Sequence, residues 1–349
     1  MAARPTEKQL VAEVPAALAS LLDVPREDVK VEPGSEADLL VSAAGHSFVV
    51  EVLGAASPGA LAAHASQVTA AARRQGRKAV PLLVVPFMSD AGRRVCEGAS
   101  IPWFDLSGNA HIVAPGIRVI VDGRPNRFRG PGRPASIFAP KSARVVRWLL
   151  ENEGRALTQR EIARATDMTD GFVSRIVSRL EHESYVLREP SGALRVKDPA
   201  LLLDAWRDEY RFDKHVLLQG HVAARSGDAL ARFVGDTLAE GSVEHAATGL
   251  AAAWQMTHFA AFRIATFFLA ESPSKELRET LGCREGARGA NLWLVLPNDA
   301  GVFHGAETRD GLRCVHPVQA YVDLKAHPER ATEAAERLRS ELLSWRYDG

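Results

Sequence analysis

The residues best suited to chemistry in this sequence are polar and basic side chains repeated at helical spacing: Thr169, Asp170, Ser174, Arg175, Ser178 and Arg179. Guanidinium, hydroxyl and carboxylate groups in such an array hydrogen-bond base edges in a major groove or the phosphate oxygens beside it. In the same stretch Val173, Val177 and Leu180 recur at i, i+4 and i+7, so one helix would bury an apolar stripe and turn the polar residues outward. Arg175 is the first choice for reading a base. Arg179, with Arg188 and Arg195 further on, is better placed for phosphate.

The elements that must position these side chains are legible around them. Thr158 and Glu161 form a capping box at the start of a helix through Ile162 and Ala163. Thr166 to Asp170 then makes a turn, and the polar helix follows. Tyr185 to Glu189, a Pro190-Ser191-Gly192 turn and Ala193 to Val196 predict a short hairpin. An earlier helix, Ser142 to Leu150, presents Val145, Val146, Leu149 and Leu150 to a core, with Trp148 at its edge. Lys141, Arg144 and Arg147 stand near its start and along another face, and Lys141 and Arg144 join the expected DNA contacts. Together these signals predict a winged helix-turn-helix over residues 141–198 whose partner is double-stranded DNA. The bland alternative is a helical hairpin whose basic residues solvate its surface.

With 349 residues, 46% hydrophobic and 25% charged, the composition is that of a globular α/β protein of several domains. The formal net charge of zero argues against coating a polyanion and leaves room for a locally basic face. Cys96, Cys283 and Cys314 lack metal-ligand spacing and read as reduced packing thiols, and no cofactor is indicated. No apolar run approaches a membrane span and no signal-peptide pattern opens the chain, so a cytoplasmic protein without membrane contact is expected.

Residues 1–128 read as an α/β domain. A helix from Pro5 to Leu22 precedes strands at 29–32, 37–41 and 46–52, the last two joined by an Ala43-Ala44-Gly45 turn; an Ala-rich helix from Pro58 to Arg74 follows. Ala79 to Val85 is a continuous apolar run, as expected of a strand covered by helices on both faces. A helix at Ser89 to Glu97 and a strand from Ile101 complete the pattern. This order, with Asp38 and Glu51 on successive strands, resembles the PD-(D/E)XK nuclease fold, which implies a metal-binding carboxylate pair. The position of the motif lysine is Leu53, so Asp38 and Glu51 are vestigial metal candidates and a catalytically inactive domain is expected. The string Asp105-Leu106-Ser107-Gly108-Asn109 reads as a turn before the next strand.

Between Arg118 and Pro140 proline and glycine become dense, and residues 129–140 read as a basic linker. Arg124, Arg127, Arg129 and Arg133 form a basic arm suited to phosphates or a minor groove.

Residues 199–349 alternate helical and strand-like segments, an α/β or α+β domain. The winged module, the stretch Ala247-Thr248-Gly249-Leu250-Ala251-Ala252 and the string Pro317-Val318-Gln319-Ala320-Tyr321-Val322-Asp323-Leu324 resemble the AbiEi family of type IV toxin-antitoxin antitoxins. That resemblance implies a transcriptional regulator repressing its own operon and countering a nucleotidyltransferase toxin without stable binding. Asp299, Gln319 and Asp323 could be remnants of a nucleotide site but are expected to cap helices or take solvent, and His304 and His316 lack ligand spacing.

The leading expectation is a sequence-specific DNA-binding regulator, with either a homodimer or a second DNA-contacting domain implied because one module covers few base pairs. Two alternatives stand beside it: a metal-dependent DNA-cleaving enzyme targeted by the winged helix, and an interaction protein that neutralises a toxin.

Overall fold

Two central strands buried on both faces shape the N-terminal part of the protein. A computed structural model describes residues 7–54, 57–76, 78–128 and 136–345. These fall into two units, one within 1–136 together with 179–185, the other within 137–178 together with 186–349. In the first unit α1 (Glu7–Leu22) buries Leu10, Val14 and Leu18, spaced four apart. Three strands follow, β1 (Lys30–Pro33), β2 (Leu39–Ala43) and β3 (His46–Val52). The β2–β3 turn takes φ of 49° at Ala44 and 77° at Gly45, the left-handed pair that a tight hairpin needs. The remaining elements are α2 (Pro58–Gln75), β4 (Ala79–Val85), α3 (Asp90–Gly98), β5 (Trp103–Asp105), β6 (Ala110–Ala114) and β7 (Ile117–Val121).

Among the described residues seven strands make one sheet in sequence order, with β3, β4 and β5 parallel and the other neighbours antiparallel. Parallel neighbours need a crossover, and α2 and α3 supply the two. Phe48, Val50, Leu82 and Val84 share a core with α1, whereas Val49, Leu83 and Val85 share one with Leu61, Ala65 and Val68 of α2. Both faces are therefore dry, which accounts for the unbroken apolar run of β4. The chain is ordered past Arg118: β7 pairs along its whole length with β6, so the loss of regular structure expected from Arg118 begins only after Val121. Arg118 misleads because it occupies an exposed position of a strand whose neighbours alternate in burial.

The winged module comprises α4 (Ala143–Glu151), α5 (Gln159–Thr166), α6 (Asp170–His182) and the antiparallel β8 (Val186–Arg188) and β9 (Leu194–Val196); all of it but the last turn of α6 belongs to the second unit. Leu157 adds a third strand position, exchanging backbone hydrogen bonds of 2.8 Å with Leu194 in both directions. Then come α7 (Pro199–Glu209), β10 (Val216–His221), α8 (Gly227–Glu240), β11 (His245–Thr248), α9 (Gly249–Thr257), β12 (Ala265–Leu269), α10 (Lys275–Thr280) and β13 (Arg284–Glu285). The chain continues with β14 (Leu292–Leu296), β15 (Glu307–Arg309), β16 (Leu312–Cys314), α11 (Pro317–Asp323) and α12 (Ala331–Leu342). The described strands form a mixed sheet in the order β13-β10-β14-β12-β11-β16-β15.

The Ala-rich stretch from Ala246 to Trp254 is split between two elements, β11 and α9. The break is at Gly249, whose φ is +57° and where a Cβ would lie 2.5 Å from the His327 ring. No side chain fits there, so the strand turns into the helix at a position that alanine composition does not reveal.

The Asp105 to Asn109 string is a turn, and a buried one. Asp105 accepts the Met88 amide at 3.0 Å and the Asn109 amide at 2.9 Å, and Asn109 Nδ2 donates to Asp105 Oδ2 at 2.8 Å and to the Arg124 carbonyl at 3.1 Å. The Arg124 amide in turn donates to Asn109 Oδ1 at 2.8 Å. Asp105 and Asn109 are 1% and 0% exposed, so each of these groups would be orphaned by loss of its partner. Replacing Asp105 with Ala should therefore cost about 3 kcal/mol in urea unfolding of the N-terminal unit. A loss below about 0.5 kcal/mol, the range of ordinary surface changes, would contradict this role.

Candidate nucleic-acid interface

The capping box at α5 is formed in both directions. Thr158 Oγ1 accepts the Glu161 amide at 3.2 Å, and Glu161 Oε2 accepts the Thr158 amide at 2.7 Å. Its hydrogen bonds to Thr158 hold the Glu161 carboxyl below the usual range. At the other end Asp167 takes φ of 53° and the Met168 amide reaches back to the Ala163 carbonyl, so α5 stops and the chain turns into α6. Val173, Val177 and Leu180 are each 0% exposed, which fixes the rotation of α6 about its axis. Thr169, Asp170, Arg175 and Ser178 are exposed as a result, and Ser174 and Arg179 are half-buried.

The basic residues of the expected interface differ sharply in what they hold. The Arg175 guanidinium lies 5.6 Å from the Phe172 ring centroid, and the ammonium of Lys141 lies 5.7 Å from the same ring. One aromatic thus gathers two exposed cations, a cation–π arrangement that leaves their N–H groups for an outside acceptor. Arg179 has Glu183 at 3.5 Å. On the wing Arg188 donates to the Gly192 carbonyl at 3.1 Å. Arg195 donates to Glu189 at 2.9 Å and to the Gly154 carbonyl, and so braces the wing from within.

Arg144, expected among the DNA contacts, points into the protein. Its Nε and Nη2 donate to the two carboxylate oxygens of Asp299 at 2.7 and 3.0 Å, with Nη1 3.4 Å from the Thr166 carbonyl. This bidentate pair uses the guanidinium fork and raises the pKa of the group further. Arg147, expected on an outward face of the same helix, is 3% exposed and donates from Nε and Nη2 to Gln319 Oε1 at 3.1 and 2.7 Å. Its guanidinium stacks 5.2 Å from the Trp206 ring. A third bond links the end of α4, where Glu151 Oε2 meets His304 Nδ1 at 2.5 Å. Helix α4 is therefore tied to the α/β sheet domain at three successive positions.

Behind those ties lies a buried polar chain, not the caps and solvated acids expected of Gln319 and Asp323. Asp323 accepts Gln319 Nε2 at 2.9 Å, the Tyr210 hydroxyl at 2.5 Å and the Thr248 hydroxyl at 2.5 Å. His215 Nδ1 accepts the Asn298 amide at 3.0 Å, which leaves the proton on Nε2 to face the Tyr210 oxygen at 2.8 Å. Asp299 keeps part of its expected role, since it also accepts the Gly301 amide at 2.8 Å and caps the turn Ala300–Phe303.

In the basic arm Arg127 is paired with Glu13 and lies 4.8 Å from the Phe128 ring, while Arg124 is tied by its backbone to Asn109. Arg129 and Arg133 fall outside the described residues. Of the vestigial metal candidates, Asp38 Oδ2 accepts the Val52 amide at 2.7 Å and Glu51 meets His64 Nδ1 at 2.8 Å. Burial first, and then the charge of Asp38, push the Glu51 carboxyl up. Among the described residues no group of three or more His, Cys, Asp or Glu side chains is placed to hold a metal ion.

Two basic residues escaped the sequence reading. Arg160 and Arg164 lie one turn apart on the exposed side of α5 and line a shallow polar cavity of about 340 Å³ with Asp167, Met168 and Asp170, at the start of α6. Their i, i+4 spacing was the available signal.

The geometry defines a winged helix-turn-helix module, and residues 139–193 match the model of the MarR family. No curated protein and no solved structure matches the chain. Among the described residues no helix is long and apolar enough to cross a membrane.

The buried chain has a pH signature. Burial raises the Asp323 carboxyl from 3.8 to about 7 against the opposing effect of its hydrogen bonds, and lowers the His215 imidazole from 6.5 to about 4. Between those values the native state holds an extra proton at Asp323, so this group's contribution to stability falls as pH rises from about 4 to about 7. His215 acts with opposite sign, because from pH 6.5 down to about 4 it is the unfolded chain that takes up the proton. Asp323→Asn removes only the first effect. The unfolding free energy of the variant relative to wild type, from urea titrations, should climb between pH 4 and pH 8 by on the order of a few kcal/mol. A pH-independent difference would contradict the assignment.

Proposed function

We propose that the protein is a sequence-specific DNA-binding transcriptional regulator whose reader is the winged module of residues 141–198. The observation that carries this reading is the placement of Arg175. It stands exposed on a helix whose opposite face is fully buried, with Ser178 one turn away and Lys141 on the same aromatic ring. The MarR-family match over residues 139–193 supports it. In this reading α6 enters the major groove, Arg175 reads a base edge, and Arg160, Arg164 and Lys141 take phosphates. Arg144 and Arg195 are structural. A homodimer on a two-fold-related site follows from the small footprint of a single module.

The AbiEi-like antitoxin reading, an autorepressing regulator that counters a nucleotidyltransferase toxin, belongs to the same proposal. It rests on the two C-terminal strings quoted above, which meet in the buried Thr248–Asp323 hydrogen bond. The toxin would be a functional partner, not a stably bound one.

For the N-terminal unit we propose a catalytically silent relative of the PD-(D/E)XK fold. Its order of helix, three strands, helix and strand supports this, as does the engagement of Asp38 and Glu51 with Val52 and His64 around a site whose third motif position is Leu53. Incubated with plasmid DNA and Mg²⁺ or Mn²⁺, wild type should leave no cut product; cleavage that Asp38→Ala abolishes would establish the enzyme alternative instead.

Fluorescence anisotropy on DNA from upstream of the protein's own gene tests the reader. Arg175→Ala should cost about 1–3 kcal/mol on the preferred site and relax sequence preference, whereas Arg164→Ala should weaken all sequences alike and reduce the salt slope by about 1. Unchanged binding in the Arg175 variant at several salt concentrations would refute the assignment.

A further inference from the structure

Among the described strands the two large sheets have four edges, and one edge is unlike the rest. β1 ends the N-terminal sheet on one side with Lys30, Glu32 and Pro33 among its four residues, all exposed. In the other sheet β13 is Arg284 and Glu285, and β15 is Glu307, Thr308 and Arg309. Short edges that carry charge or proline discourage an added strand, which keeps their free N–H and C=O groups from recruiting another chain. β7, the remaining edge, reads Ile117-Arg118-Val119-Ile120-Val121, with a single charge among four β-branched apolar residues. Nothing in it blunts the edge, and among the described strands it pairs only with β6.

Both faces of β7 stop short of full burial. Ile117, Val119 and Val121 pack on the N-terminal core but are only half-buried. On the opposite face Ile120 is 44% exposed, and Val113, diagonal to it on β6, is 45% exposed.

The strand is also complementary to itself. When two copies meet antiparallel with Ile120 opposite Ile120 on a two-fold axis, Val119 falls opposite Val121 and Arg118 opposite Asp122, each twice. Arg118 is exposed and has no ion pair among the described residues. Asp122 is held by Arg93 at 2.5 Å, but its side chain is 59% exposed and has room for a second guanidinium. Slipping the register by two residues sets Arg118 opposite Ile120 in one direction and opposite Arg124 in the other, and both lose the ion pairs. One register therefore joins apolar to apolar, continues the half-covered core into the copy and opposes no like charges.

We propose that β7 is a contact between two copies of this chain, paired antiparallel about Ile120 so that their N-terminal sheets become one continuous sheet. The pairing stands apart from the DNA-binding reading; only its use on a two-fold-related DNA site rests on that reading.

Sedimentation velocity of the DNA-free full chain over a wide range of concentration tests the contact, and a reversible monomer–dimer equilibrium is expected. Ile120→Lys opposes two like charges on the axis, and Arg118→Glu opposes an acid to Asp122; each should weaken dimerisation at least tenfold. Val31→Lys, at an exposed position of the opposite edge, should leave it unchanged. In the proposed register the two Ile120 Cα atoms lie about 4.5–5.5 Å apart, within disulfide reach. Ile120→Cys should therefore cross-link two chains on mild oxidation, and Val113→Cys, as exposed but one strand further in, should not. A monomer at every concentration, a dimer that both charge variants leave intact, or equal cross-linking by the two cysteine variants would overturn the proposal. A monomer that still binds its DNA site would do so while leaving the regulator reading in place, and a β7 dimer that binds no DNA would support the contact while overturning that reading.

Discussion

A buried guanidinium holds the second unit together. Arg147 cannot shed its charge in a protein, and burial works against that charge by lowering its pKa; the nearby carboxylates of Glu151, Asp299 and Asp323 oppose the shift. Its two hydrogen bonds to Gln319 and the Trp206 ring beneath it exist only when α4, α7 and α11 are packed together. An arginine stranded there without Gln319 would carry the full cost of an uncompensated buried charge, several kcal/mol. The winged module and the sheet domain are consequently one folding unit, and the first helix of the reader is part of the core of its neighbour.

That constraint decides which cations stay exposed. The chain balances 43 basic against 43 acidic residues, so a basic face has to come from local allocation. Arg144, Arg147 and Arg195 spend their donors inside the protein, on Asp299, Gln319 and Glu189. Arg175 and Lys141 keep theirs, both close to the Phe172 ring, and Arg160 and Arg164 extend the exposed basic surface to the neighbouring helix. The same ties give the sheet domain a mechanical hold on the reader, since Asp299 sits just past a sheet strand and grips both α4 and, through Arg144, the carbonyl of Thr166 at the helix-turn-helix turn.

The winged module was legible because its signals are local. A capping box spans three residues, an apolar stripe recurs every three or four, and a hairpin turn announces itself in Pro190-Ser191-Gly192. The continuous apolar run in β4 was equally readable, because a strand covered on both faces has no exposed side to interrupt it. Arg144 and Arg147 were misread as outward-facing for the converse reason: their partners lie 155 and 172 residues further along the chain, and no window on the helix contains them. The same distance hid the fate of Asp323, whose bonds to Tyr210 and Thr248 span 113 and 75 residues. Strands as short as β13, β15 and β16 carry too few residues to show a period, and they form because a neighbour's edge is already in place.

What the second unit contributes is thus a winged helix-turn-helix whose first helix is bonded into the sheet domain and whose α6 exposes Arg175. The claim meets its most direct test in a DNase I footprint of the full chain on the DNA preceding its own coding region, repeated across a range of salt. The account predicts a discrete protected stretch, lost on mutating its central base pairs and weakening steeply with salt as phosphate contacts are released. Uniform protection without preference, or none at low salt, would contradict it.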